Sequence, residues 1–199
     1  MVRVAVLVSG GGTNLQAIID AKQAGKIPSA ELALVLASND KAFALTRAAN
    51  AGIPSEVLRK AKGEEPSLYG ERLLAVLRAH RIDLVVLAGF LTILPENVIR
   101  AYDHRILNVH PSLIPSFCGD GFYGLRVHEA ALAKGVKVTG ATVHLVNEIP
   151  DGGRILLQKA VEILPDDTAE VLQRRVMEQA EWVLLPQAAE MLCKQITEN

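Results

Sequence analysis

Asn108 and His110 stand two residues apart in the run Ile106-Leu107-Asn108-Val109-His110-Pro111. If this apolar run is a β-strand, residues i and i+2 share a face, so the amide and the imidazole project together. Both can donate hydrogen bonds to one developing oxyanion, and the imidazole can also move a proton near neutral pH. The proline after His110 pushes that residue toward extended backbone and places the pair at the strand's carboxyl end. Asp151 lies in the turn Pro150-Asp151-Gly152-Gly153 and can reach the same edge if its hairpin packs beside the Asn108 strand. An aspartate beside a histidine favours the imidazolium and fixes the ring's tautomer. Taken alone, Asp-Gly is equally an ordinary turn pair.

A second constellation is Ser9-Gly10-Gly11-Gly12-Thr13-Asn14, which follows the aliphatic run Val2 to Val8 and precedes the helically spaced Leu15 to Ile19. Strand, glycine turn, helix is an arrangement in which backbone N–H groups and a helix N-terminus receive a phosphate. Thr13 and Gln16 also have the spacing of a capping box, but a cap alone does not need three consecutive glycines. Leu15 occupies the place of the third glycine of a dinucleotide fingerprint, and no Gly-Lys-Ser/Thr ending is present. The turn therefore suits a phosphate other than a dinucleotide's or a nucleoside triphosphate's.

These residues need a frame. Buried strands are expected at Val2 to Val8, Glu31 to Ala37 and Asp83 to Ala88, with a short edge strand at Ile53 to Leu58. Helices are expected near 41–51, 69–80 and 127–134, and residues 60–67 read as a loop. Val138 to Val146 and Arg154 to Ile163 read as a hairpin around the Asp151 turn, with His144 structural and facing a sheet layer. A long last helix begins at 166–168 and runs to about Lys194, with Pro186 marking a kink or break. The pattern predicts one α/β domain over 1–199: a doubly wound, mostly parallel sheet, an antiparallel C-terminal hairpin and a long final helix. Ligands of such sheets sit beyond the strands' carboxyl ends. The loop Gly89 to Pro95 follows one of those ends and is unusually apolar; it either packs under the next helix or walls a pocket for a flat organic ligand.

With 199 residues, half of them hydrophobic, and a net charge of -1, the chain can bury a sizeable core and has no electrostatic reason to bind nucleic acid. Cys118 and Cys193 form no disulfide framework or metal pattern. No apolar run reaches membrane-spanning length and no signal peptide precedes the first strand, so a cytoplasmic protein is expected.

Together, Ser9-Gly10-Gly11-Gly12-Thr13-Asn14-Leu15-Gln16, Leu87-Ala88-Gly89-Phe90, Asn108 to Pro115, Gly140-x-Thr142-Val143-His144 and Asp151-Gly152-Gly153 resemble the folate-dependent formyltransferases over nearly the whole chain. The glycine turn is similar to that of the glycinamide ribonucleotide branch, phosphoribosylglycinamide formyltransferase. The resemblance implies a Rossmann-like formyltransferase fold. It also implies transfer of the formyl group of 10-formyltetrahydrofolate to the amine of glycinamide ribonucleotide, in purine biosynthesis. It makes Asn108, His110 and Asp151 the catalytic trio and assigns Gly12, Thr13, Asn14 and Glu181 to the ribonucleotide, with Glu178 a rival to Glu181 because the helix reads as one residue longer than the family's. Leu91, Thr92, Ile93, Leu94, Asn108, Asn147, Glu148, Ile149, Pro150 and Asp151 would line the folate site, largely through backbone groups. It implies small-molecule substrates, no metal, no membrane and no nucleic acid, with a monomer or homodimer both open.

Thr92 and Pro66 replace basic residues often seen in the family, and the segment Ser116 to Arg126 is longer than usual. Methionyl-tRNA formyltransferase and formyltetrahydrofolate hydrolase share the catalytic run but carry an extra domain, and the chain's start at a strand and end at a helix disfavour both. A nicotinamide-dependent Rossmann protein is disfavoured by the missing third glycine.

Overall fold

Along the first strand, side chains alternate between two apolar layers: Val2, Val4, Val6 and Val8 enter one and Ala5 and Leu7 the other. A strand buried on both faces belongs inside a sheet covered by helices on both sides. The computed structural model, which describes residues 1–198, has that architecture. Its strands are β1 (Val2–Val8), β2 (Ala30–Ala37), β3 (Ser55–Val57), β4 (Leu84–Leu87), β5 (Ile106–His110), β6 (Val138–Leu145) and β7 (Ile155–Glu162). They form one sheet in the order β3-β2-β1-β4-β5-β6-β7. The first five are parallel; β6 and β7 run antiparallel. Helices are α1 (Thr13–Gln23), α2 (Ala44–Asn50), α3 (Pro66–Ala79), α4 (Glu96–Ala101), α5 (Leu125–Lys134), α6 (Ala169–Val176) and α7 (Trp182–Glu198). α1, α2, α6 and α7 bury apolar side chains on one face, α3 and α4 on the other. No helix among the described residues is long and apolar enough to cross a membrane.

The doubly wound sheet with its C-terminal hairpin matches the expected fold class. The chain moves outward from β1 to β2 and β3, then returns to place β4 on the other side of β1. The crevice at such a reversal is where open α/β sheets take ligands. Both the glycine turn after β1 and the apolar loop after β4 open there. They are tied together: Ser9 N–H donates to the Gly89 carbonyl at 3.1 Å and Leu91 N–H to Ser9 Oγ at 2.9 Å. At Gly140 a Cβ would stand 2.0 Å from the Lys159 carbonyl oxygen, so glycine is needed where β6 and β7 pair.

Two sequence expectations shift. α3 begins at Pro66, inside the segment expected as a loop, because a proline at the first helical position sacrifices only an N–H the helix would leave free. The last helix does not break at Pro186, which lies within α7. Instead a π-helical turn, Met177–Glu181, joins α6 to α7. A π turn holds one extra residue within an otherwise continuous helix and so accommodates a one-residue excess. The carbonyl that Pro186 leaves unmatched belongs to Trp182, at the junction where π spacing has just given way to α, so the irregularity is taken up upstream of the proline. Thr168 caps α6 as expected, accepting from Val171 N–H at 3.4 Å.

Candidate active site

β5 ends with Asn108 and His110 on the face opposite Leu107 and Val109, which enter the first core. Antiparallel pairing sets His144 of β6 across from Asn108 and Thr142 across from His110. The β6–β7 turn brings Asp151 over the same edge. Its Oδ2 is 3.5 Å from His110 Nδ1, and Asn108 Nδ2 is 3.4 Å from its Oδ1. The three expected side chains therefore converge. His110 is 4% exposed, so water has little access to its ring.

Backbone groups complete the arrangement. His110 Nε2 is 2.8 Å from the Phe117 carbonyl, which can only accept, so Nε2 carries the hydrogen and Nδ1 is turned toward Asp151. Gly119 N–H donates to Asp151 Oδ2 at 2.9 Å. Phe117 has φ +50° and Asp151 φ +53°, left-handed conformations that cost about 1–2 kcal/mol, least for Asp, and persist when surrounding contacts require them. Burial works against ionisation of Asp151. Hydrogen bonding from a doubly protonated His144 and from Gly119, with the charges that His110 and His144 carry when protonated, outweighs it and holds the carboxyl below its ordinary range.

His144 corrects the sequence reading. It faces the site: its Nδ1 donates to the Leu145 carbonyl at 2.8 Å, leaving Nε2 3.1 Å from Asn108 Nδ2 and 3.5 Å from Asp151 Oδ1. A neutral His144 presents a lone pair at Nε2 and accepts from the Asn108 amide, fixing which way that amide points. Only a doubly protonated ring could donate to Asp151, so Gly119 N–H is the contact to Asp151 that persists in either state. The signal available in the sequence was strand alternation, which sets His144 on the same face as Thr142.

Gly12 has φ +71°, and a Cβ there would come 2.7 Å from that of Ala44, so α2 packs directly on the turn. Gly10 and Gly11 have open space where a side chain would stand. Gly12 is the N-cap of α1 and no side chain caps it; the Thr13–Gln16 capping box does not form. Thr13 Oγ1 instead points to Met177 Sδ at 3.7 Å, and Gln16 pairs with Asp20 and Arg47. Arg47, which sequence reasoning missed, donates through Nε to the Gly11 carbonyl at 2.8 Å and brings a cation to the back of the turn. Its position in α2 carries no local motif.

Asn14 Nδ2 donates to Glu181 Oε2 at 2.7 Å, while buried Asn14 Oδ1 has no partner among the described residues. Glu181 is 6% exposed, whereas Glu178 is exposed and pairs with Arg174. The π turn thus aims Glu181, not its rival, at the glycine turn. Burial pushes the Glu181 carboxyl up to about 7 against the pull of the Asn14 hydrogen bond. A carboxyl raised on folding contributes stability that is fully present below its unfolded pKa and is lost as pH rises through about 7. Glu181→Gln is therefore expected to raise stability above pH 8 by up to about 3 kcal/mol and to change it little below pH ~5. Thermal unfolding at the two pH values checks this.

The residues expected to line a folate site divide. Leu94 is buried in the second core beneath α4, leaving only its backbone available, while Leu91 and Ile93 are 65% and 78% exposed. Leu94 thus packs under the next helix, one of the two readings of that apolar loop, while Leu91 and Ile93 stay at the surface. In the other segment, Asn147 Oδ1 accepts from Ile149 N–H at 3.0 Å, and Glu148, Ile149 and Pro150 are exposed. Residues 91–94 and 147–151 share no hydrogen bond among the described residues; Asp151 alone of the ten reaches both Asn108 and His110. A cavity of about 820 Å³ between α1 and α7 meets the glycine turn only at Thr13 and does not contain the Asp151 chemistry.

A buried imidazole and an amide gather at one carboxylate at the end of β5, two strands from the uncapped N-terminus of α1, an arrangement whose chemistry suits group transfer. The family comparison agrees: residues 2–188 match the formyl transferase family model, and the chain belongs to that family. It is similar to the phosphoribosylglycinamide formyltransferase of Haemophilus influenzae, 40% identical over 90% of this chain and 82% of that one. It is also similar to the chloroplastic phosphoribosylglycinamide formyltransferase of Vigna unguiculata, 39% identical over 97% of this chain. The chain spans about 60% of the length of the chloroplastic relatives it matches. The crystal structure of glycinamide ribonucleotide transformylase 1 from Symbiobacterium toebii superposes with a TM-score of 0.91 at 39% identity, covering 98% of this chain and 89% of that one.

Proposed function

We propose that the protein transfers the formyl group of 10-formyltetrahydrofolate to the primary amine of glycinamide ribonucleotide. The reading rests on one observation above all: Asp151 lies within reach of both His110 Nδ1 and Asn108 Nδ2, although 43 residues separate it from Asn108. In the reaction the amine attacks the formyl carbon, a C–N bond forms and the carbonyl oxygen becomes an oxyanion. Asn108 Nδ2–H and, with the ring doubly protonated, His110 Nδ1–H donate to that oxygen, where such preorganised donors act most strongly. Asp151 takes a proton from the attacking nitrogen, directly or through water, and returns it to the folate nitrogen as the C–N bond to it breaks. The products are formylglycinamide ribonucleotide and tetrahydrofolate.

Thr13, Asn14 and the free N–H groups after Gly12 would take the 5'-phosphate. The unpartnered Asn14 Oδ1 and Glu181 would accept from donors of the same ligand. The exposed Leu91, Ile93 and Ile149 would flank the folate, whose polar edge would be read by backbone groups of 91–94 and 147–151. Such an enzyme needs only its two small-molecule substrates and would work in the cytoplasm. Glycinamide ribonucleotide should raise the thermal midpoint while NAD(P) leaves it unchanged; a shift with NAD(P) alone would instead favour a nicotinamide-binding Rossmann protein.

A further inference from the structure

We infer that Thr142 and Gln158 are positioning residues for His110, acting through residues 112–117 rather than by touching its ring. The proposal rests on the functional reading above only in its kinetic consequence. The Phe117 carbonyl decides which ring nitrogen bears the hydrogen and which faces Asp151. A carbonyl on an irregular segment can do this only if the segment is anchored.

The anchor is a row of side chains across the sheet. His110 of β5 pairs with Thr142 of β6, and Thr142 pairs with Gln158 of β7. Thr142 Oγ1 is fully buried; it donates to the Ser112 carbonyl at 2.7 Å and accepts from Ile114 N–H at 3.1 Å and Gln158 Nε2 at 2.9 Å. A hydroxyl has one hydrogen and two lone pairs, and all three are used. Gln158 Nε2 also donates to the Ile114 carbonyl at 3.0 Å. From this anchored turn, Ser112 Oγ donates to the Ser116 carbonyl at 2.5 Å, and the next carbonyl along is the one that meets His110. Two residues further, Gly119 N–H holds Asp151. Freeing the turn would therefore release the histidine and the aspartate together.

The test compares Thr142→Val, which is isosteric but can neither donate nor accept, with Thr142→Ser, which restores the hydroxyl. The first readout is the nitrogen-15 spectrum of the His110 ring in the substrate-free protein at alkaline pH. Wild type and Thr142→Ser should show the hydrogen on Nε2, and Thr142→Val a mixture of tautomers. The second is turnover: Thr142→Val should lose at least tenfold in kcat with KM for the ribonucleotide within twofold, and Thr142→Ser should recover most of it. Should Thr142→Val fail to fold, Gln158→Ala at an exposed position should give the same tautomer mixing and a three- to tenfold loss in kcat. A wild-type His110 spectrum in a folded Thr142→Val or Gln158→Ala variant overturns the proposal, even if its thermal midpoint falls. If the wild type lacks formyl transfer, the spectrum still decides the positioning role separately.

Discussion

Asp151→Asn should lower formyl transfer by about 10²- to 10⁴-fold, the range a positioned acid–base group typically contributes. The amide keeps the shape of the side chain and an oxygen that can accept from Gly119 N–H, now at 2.9 Å from Oδ2, so the turn and both substrate sites should survive. What it loses is the ability to take and return a proton. The loss should therefore fall on kcat with KM nearly unchanged. Because the Asp151 carboxyl lies below its ordinary range, it is ionised across neutral pH, and the rate it supports should be lost only as pH falls through that depressed value. Single-turnover transfer followed across pH tests both points. Turnover by Asp151→Asn within a few-fold of wild type would remove the residue from the mechanism.

Asn108→Ala should cost about 10²- to 10³-fold in kcat, the usual consequence of deleting one donor to a developing oxyanion. It removes a second thing as well. Asn108 Nδ2 is shared between His144 Nε2 at 3.1 Å and Asp151 Oδ1 at 3.4 Å, so truncation leaves the buried His144 nitrogen without its donor. The loss should accordingly be accompanied by a modest drop in thermal midpoint. His144→Ala should reproduce part of the kinetic loss, through an amide that is no longer oriented. Steady-state kinetics of the two single variants and the double variant measure that coupling.

Much of this site was legible in the sequence because its parts obey short-range rules. Asn108 and His110 share a face because strands alternate, and the glycine turn follows a strand because two buried layers mark Val2 to Val8 as one. Asp151 could reach that edge only if its hairpin packed beside β5, and as part of an Asp-Gly turn it carried no signal of its own beyond the family resemblance. The rest was hidden for identifiable reasons. Phe117 and Gly119 act through a carbonyl and an N–H, which every residue has, so no residue type announces them. His144 needs the register of β6 against β5 before it can be set beside Asn108. The π turn at Met177–Glu181 leaves only a one-residue excess in a helical pattern, which cannot by itself choose between Glu178 and Glu181. Arg47 joins the glycine turn from a different helix, through the close packing of Ala44 on Gly12.

The most direct measurement is an absorbance assay of tetrahydrofolate formation from 10-formyltetrahydrofolate, with glycinamide ribonucleotide as the acceptor and the free amine glycinamide as a control. Rapid turnover is expected only with the ribonucleotide, and it should disappear in His110→Ala. Folate release that proceeds equally well without the ribonucleotide, or that survives loss of the His110 imidazole, would contradict an amine-directed formyl transfer at this site.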